Sequence, residues 1–313
     1  MTFFTRKLHV LNNIESIKKR YDAYLRIEKG LSQNTAASYC RDVEHLLRYA
    51  ESVGKSAENI NGDDLEAFVC TLHDLGIAPR SQARIISGIK SFYKFLKMEG
   101  VVDVNPTQLL PSPRIGEHLP EVLTLSEINS MIECIDLSHP QGQRNRAIIE
   151  VLYGCGLRVS ELVDLRLSQI FEQEEYIVVV GKGDKQRLVP ISQEALEQIN
   201  LYLEQPRSNQ ETKPGCEDIL FLNRRGNRLT RVMIFYIVKD LCDRAGIRKT
   251  VSPHTLRHSF ATHLLEGGAN LRAIQQMLGH ESIETTEIYV HIDRSTIRQE
   301  ILTHHPRNRM HNA

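Results

Sequence analysis

No run of the chain approaches the roughly 18 uninterrupted apolar residues that a membrane-spanning helix requires, so the 313 residues are read as an ordinary globular protein with 41% hydrophobic and 25% charged residues. The opening MTFFTRKLHVLNN has no continuous apolar stretch and no small-residue cleavage site, and no export signal is expected from it. The six cysteines, Cys40, Cys70, Cys134, Cys155, Cys216 and Cys242, include no C-x-x-C pair and no close spacing. That argues against a zinc site or a disulfide framework and for buried thiols in a reducing cytoplasm. Net charge is zero, with 39 basic and 39 acidic side chains, which excludes a uniformly basic surface and leaves the partner open. A long-period repeat and a low-complexity tract are also missing.

What the chain does have is length for two domains, since domains usually run to roughly 100–200 residues. From Ile14 to Leu110 the apolar residues recur at helical spacing, and four helices are expected there without a strand. The first ends near Gly30. The second opens after Ser32 with Tyr39, Val43, Leu46, Leu47 and Ala50 on one stripe, and the third is capped by Asn61 with Asp63 and Asp64 in its first turn. The fourth, Arg80 to Met98, carries Arg80, Arg84, Lys90, Lys94 and Lys97 opposite its apolar face. Such a face suits a DNA backbone, and equally a solvated helix. Between Asn105 and Pro120 four prolines and a glycine interrupt the periodicity. Residues 111–120 are therefore expected to link a first domain, 14–110, to a second, 121–313.

In the second domain, helices are expected at Ser126–Ile135 and Gln143–Cys155. They are followed by β-rich runs at Tyr176–Val180 and Arg187–Ile191 about a Gly-Lys-Gly-Asp turn, which predicts a hairpin with Lys182 at its tip. The rest reads as mostly helical, apart from the apolar run Ile219–Leu222. Charge is uneven here: between Asn223 and Ser259 nine basic residues, Arg224, Arg225 and Arg228 among them, stand against only Asp240 and Asp243. That stretch is a candidate phosphate-binding surface.

Four segments carry possible chemistry: GLRVSEL with Arg158, the turn with Lys182, HTLRH with His254 and Arg257, and LGHESIETTEIYVH with His280 and Tyr289. His254 and Arg257, three apart, fall on one helix face and can grip one group together. Arginine suits a phosphate because its planar fork offers parallel donors and stays charged. Two converging arginines would neutralise charge developing on non-bridging oxygens. Each residue also has a plainer reading: a lone tyrosine is usually a packed aromatic, a lysine between glycines an exposed turn residue, and Glu161 near Arg158 a surface salt bridge. A zinc helix through His254 and His258 is disfavoured, because Thr255 stands where that motif needs glutamate and Arg257 would repel a cation.

Taken in order, Arg158, Lys182, His254-x-x-Arg257, His280 and Tyr289, within GLRVSEL, GKGDKQRLVP, SPHTLRHSFATHLLEGGANLRAIQQMLGH and a terminal HHPR, resemble the signature of the tyrosine recombinases of the phage integrase family, and most closely the Xer type. The resemblance covers nearly the whole chain. It implies a mainly α fold: an all-helical, SAM-like core-binding domain and a mixed α/β catalytic domain, mostly helical with a small antiparallel sheet, forming a C-shaped DNA clamp. Tyr289 would be the nucleophile, attacking a backbone phosphate to form a 3′-phosphotyrosyl link. Arg158 and Arg257 would bind that phosphate, Lys182 would protonate the departing 5′-oxygen, His254 would assist at the tyrosine and His280 would hydrogen-bond the phosphate. Glu161 corresponds to a carboxylate that orients this set. No cofactor, metal or ATP is implied.

The partners implied are a double-stranded recombination site, a homotetramer or a heterotetramer with a second recombinase, and a DNA translocase as activator. The role implied is chromosome or plasmid dimer resolution in the cytoplasm, at the nucleoid. The last helix, near Ser295–Thr303, would dock on a neighbouring subunit through Ile297, Ile301 and Leu302, or pack on its own domain. Glu284 and Glu287, close to Tyr289, depart from the family's usual small or amide residues. Two competing functions, a type IB topoisomerase and a non-catalytic DNA binder, are opposed by the segment beyond Tyr289 and by the intact constellation, respectively.

Overall fold

Capping residues set where the helices begin. Ser32 accepts from the Thr35 amide and opens α2, Gln33–Ser52; Asn61 and Asp64 form a reciprocal capping box that opens α3, Gly62–Asp74; Pro79 opens α4, Pro79–Met98. Ahead of them, α1 (16–23) runs into a π-helical turn, Tyr24–Glu28, and stops before Gly30, whose φ of +59° takes the chain out of the helix. The computed structural model describes residues 16–113, 121–181, 185–279 and 294–309. It divides into two compact units, Met1–His118 and Leu119–Ala313.

The first unit is all-helical among its described residues, as the apolar spacing predicts. Its core is rich in aromatics: the Tyr21 ring meets Phe92 at 5.2 Å and Phe95 at 5.5 Å, and its hydroxyl donates to the Gly88 carbonyl at 3.2 Å. These contacts pin α1 on α4. One polar pin joins α2 to α4: the buried Asp42 accepts from Arg84 at 2.5 Å, beside Gly88, where a Cβ would lie 3.1 Å from the carboxylate.

The second unit is built around α6, Gly142–Cys155. From Ala147 to Cys155 every residue of this helix is buried, as expected of a helix covered on several sides, and it packs on α8, Gln193–Tyr202, and α10, Pro253–Glu266. Among the described residues, the other α-helices of this unit are α5 (Leu125–Glu133), α7 (Val159–Asp164), α9 (Arg231–Arg244), α11 (Leu271–Leu278), α12 (Arg294–His304) and the short α13 (Pro306–Arg309). The expected hairpin is β2, Tyr176–Val180, against β3, Gln186–Pro190, in antiparallel register from Tyr176↔Pro190 to Val180↔Gln186. A third strand, β1 (Ile170–Phe171), pairs with β2, and a strand of two residues is too short to leave an alternating signature in the sequence. The run Ile219–Leu222 makes only isolated bridges, Arg166↔Ile219 and Leu222↔Arg228.

One expectation needs correction. The cysteines are not uniformly buried: Cys155 and Cys242 are, whereas Cys70 is exposed. At the C-terminal end, Ile301 is 1% exposed within the second unit's own core, and Leu302 is half-buried; the Ile297 side chain lies outside the described residues. The same segment is anchored by His305, fully buried between the rings of Tyr153 and Phe260, where burial and the nearby Arg307 push its imidazole down to about 3. Next to it Arg307 lies 3.0 Å from the buried Glu150. Packing on its own domain is therefore what the described part of this segment does.

Candidate active site

The loop between α6 and α7 brings the first arginine into place. Gly156 ends α6 in the left-handed region (φ +59°), and a Cβ there would lie 2.4 Å from the Phe260 ring, so a glycine is required on both counts. Two residues on, Arg158 occupies the position before α7. Its amide donates to Glu161 Oε2 at 2.8 Å and its Nη1 to Glu161 Oε1 at 2.8 Å. The second arginine arrives on α10, which Ser252 and Pro253 start. Arg257, one turn into that helix, is 5% exposed; its Nη1 donates to the Gly156 carbonyl at 2.8 Å and its Nη2 to the Leu278 carbonyl at 2.6 Å.

Both guanidiniums therefore gather at Glu161, which lies 3.9 Å from Arg257 Nη1. A third joins them. Arg187, on β3, places Nη1 and Nη2 each 2.8 Å from a Glu161 oxygen in a two-pronged pair, and its Nε donates to the Met277 carbonyl at 2.7 Å. Glu161 thus accepts four hydrogen bonds, which fills the acceptor capacity of a carboxylate.

The end of α11 completes the arrangement. A helix leaves its last carbonyls without partners, and these are met here by the arginines: Met277 by Arg187, Leu278 by Arg257, and Gly279 by Arg158 Nη2 at 2.9 Å. The partial negative charge of the helix C-terminus favours cations there. Gly279 itself is left-handed (φ +63°), and a Cβ on it would lie 3.2 Å from Arg187 Cδ.

Electrostatics follows from this packing. Burial alone would raise the Glu161 carboxyl, but the bonds from Arg187 and from the amide and guanidinium of Arg158 outweigh it and hold the group below the usual carboxylate range. Burial, then the facing charge of Arg158, lowers Arg257 to about 10 against the pull of Glu161, so it remains charged at neutral pH. The result is a cluster of cations held together by one ionised carboxylate, an arrangement suited to binding an oxyanion.

Of the residues expected from the sequence, the structure brings together Arg158, Glu161 and Arg257, and leaves His254 exposed one turn before Arg257 on α10. Lys182, His280 and Tyr289, like Glu284 and Glu287, lie outside the described residues. His263, set aside as structural, bonds the Tyr153 hydroxyl at 2.9 Å. Of the expected DNA-facing side chains, Arg80, Lys94, Arg224 and Arg225 are exposed and Lys90 is half-buried. Two differ from a free basic face: Arg84 is tied to Asp42 and Ser38, and Arg228 is paired with Asp164.

Arg187 was not foreseen as a site residue. A signal for it exists, because it lies two residues before the buried Val189 and so on the same face of β3. An arginine on an inward strand face calls for a buried partner.

Arginines converging on a scaffolded carboxylate, beside a small antiparallel sheet in a helical unit, suit a protein that handles phosphate esters. Residues 121–296 match the phage integrase family and residues 19–100 its N-terminal SAM-like domain. The chain belongs to this family of tyrosine recombinases, and its class of reaction is site-specific DNA recombination. It is 42% identical over 287 residues to Tyrosine recombinase XerD of Chlorobaculum tepidum, covering 91% of this chain and 94% of that one. To Tyrosine recombinase XerD of Staphylococcus aureus it is 41% identical over 295 residues, covering 94% and 100%. It shares its fold with the XerH site-specific recombinase solved on palindromic difH DNA after cleavage, with a TM-score of 0.69 at 22% identity over 94% of this chain and 87% of that one.

Proposed function

We propose that this chain recombines a specific double-stranded DNA site through a 3′-phosphotyrosyl bond to Tyr289, in a tetramer with itself or with a second recombinase, and that its role is to resolve chromosome or plasmid dimers. Residues 14–110 act as the core-binding domain and 121–313 as the catalytic one. The observation that carries this is the meeting of Arg158 and Arg257 on one buried carboxylate, because two forked cations with donors to spare can neutralise the non-bridging oxygens of a phosphorane.

In this reaction the Tyr289 oxygen attacks phosphorus, Arg158, Arg257 and His280 hold the phosphate, and Lys182 gives a proton to the 5′-oxygen as it leaves. His254 takes part in proton transfer at the tyrosine, and Glu161 orients Arg158. The bond energy stays in the phosphotyrosine, so a new 5′-hydroxyl rejoins the strand without ATP or metal. The exposed Arg80 and Lys94, with Lys90, in the first unit and the exposed Arg224 and Arg225 in the second contact backbone phosphates. In dimer resolution a DNA translocase would act as activator.

The test uses a duplex bearing a site selected from random-sequence DNA by binding, nicked one nucleotide from the cut so that the released fragment diffuses away, in EDTA. A denaturant-resistant protein–DNA adduct is expected from the wild type and none from Tyr289→Phe. An adduct that survives Tyr289→Phe, or tight binding with no adduct, contradicts the assignment.

A further inference from the structure

Three arginines share the site, yet they are not equivalent. Arg187 directs all three of its nitrogens inward, two to Glu161 and one to Met277. Arg158 gives Glu161 one side-chain nitrogen and keeps its Nε outside these bonds, with 40% of its side chain exposed. Arg257 makes no hydrogen bond to the carboxylate, its nearest approach being 3.9 Å. The residue that satisfies Glu161 most fully is thus the one with least to offer a substrate.

Charge says what this division accomplishes. Among the described residues, three guanidiniums against one carboxylate leave a charge of +2 at the site, and without Arg187 it is +1. A phosphodiester brings one negative charge, and a second develops as the phosphorane forms. Unpaired from Arg187, the buried Glu161 would draw Arg158 and Arg257 to itself, because an ionised carboxylate out of water has to be compensated by whatever cation is nearest.

We infer that Arg187 is a positioning residue of the phosphate clamp, which cancels the charge of Glu161 so that Arg158 and Arg257 keep theirs for the scissile phosphate. The inference rests on the proposed roles of those two arginines. It also assigns Glu161 a scaffold function that needs a second cation, supplied by a strand of the hairpin.

The experiment measures adduct formation on the nicked duplex described above, made with an ordinary scissile phosphodiester or with a methylphosphonate, in which a methyl group replaces one non-bridging oxygen and the linkage is neutral. Arg187→Met is expected to slow the phosphodiester about 100-fold and the methylphosphonate less than about tenfold, since the neutral linkage needs one cation fewer. Arg187→Lys, which keeps the charge without the fork, should fall between wild type and Arg187→Met. The double variant Glu161→Gln/Arg187→Met restores the +2 sum and should recover at least about tenfold over Arg187→Met on the phosphodiester. Thermal unfolding confirms that each variant is folded, and if Arg187→Met is not, Arg187→Lys and the double variant carry the comparison.

Equal losses on both substrates with no recovery in the double variant would overturn the proposal and leave Arg187 as an anchor of β3. Arg158→Ala separates the role of Arg187 from that of the clamp itself. If it too shows no relief on the methylphosphonate, the clamp assignment itself fails and takes the inference with it; if it shows relief while Arg187→Met does not, only the role of Arg187 is wrong.

Discussion

Asp42 in the first unit and Glu161 in the second are both carboxylates buried against arginine, and the two end with opposite proton affinities. Asp42, between α2 and α4, is met by the single half-exposed Arg84, and burial wins: its carboxyl is pushed above the usual range despite that bond. Glu161 is as deeply set but accepts from two guanidiniums and a backbone amide, and there the donors win. The number and geometry of donors decide whether a buried carboxylate remains an anion. Only the second arrangement can organise cations for a substrate; the first is a pin between helices.

Removing the carboxylates should separate the cases most widely. Glu161→Ala strands inward-facing guanidiniums and should cost about 3 kcal/mol in urea unfolding of the second unit, together with loss of adduct formation. Asp42→Ala should cost only about 1 kcal/mol, because Arg84 can turn to water. Equal costs would erase the distinction. Between these, Gly156→Ala forces a side chain into the left-handed region and against Phe260 and should cost about 2 kcal/mol by the same measurement.

Acid sharpens the comparison further. Glu161, depressed in the folded state, adds stability that is present above its unfolded pKa and lost as pH falls through its folded one. Asp42, raised in the folded state, adds stability that is present at low pH and lost as pH rises through its folded value. From pH 7 down through the carboxylate range, the gap between wild type and Glu161→Gln should therefore shrink. Over the same range wild type should gain on Asp42→Asn, followed by thermal unfolding of the full chain at each pH. Slopes of the same sign for both variants would contradict the assigned shifts.

The smallest effects are expected on the basic surface. Arg224→Ala should change stability by less than about 0.5 kcal/mol and lower the salt slope of DNA binding by roughly 1. Arg228→Ala, already paired with Asp164, should lower that slope less. A larger change for Arg228 would mean that it leaves Asp164 for phosphate.

Much of this was legible in the sequence for physical reasons. Ser32, Asn61 and Pro79 mark helix starts because capping and fixed φ act locally, and Arg158, Glu161 and Arg257 stand within recognisable phrases. What stayed hidden depends on contacts distant along the chain. The pairing of Arg187 with Glu161 spans 26 residues, and the capture of the α11 carbonyls by three arginines involves backbone atoms that no residue type announces. Arg84 looked like a phosphate contact because its partner Asp42 lies 42 residues away on another helix.

In the proposed reaction Arg257 works on the scissile phosphate through its fork as well as its charge. Adduct formation by Arg257→Lys on the nicked duplex, set against its DNA affinity, tests this most directly. Affinity within about threefold of wild type with adduct formation slowed at least about 100-fold is the predicted result. An Arg257→Lys protein that binds and forms adduct at the wild-type rate would contradict it.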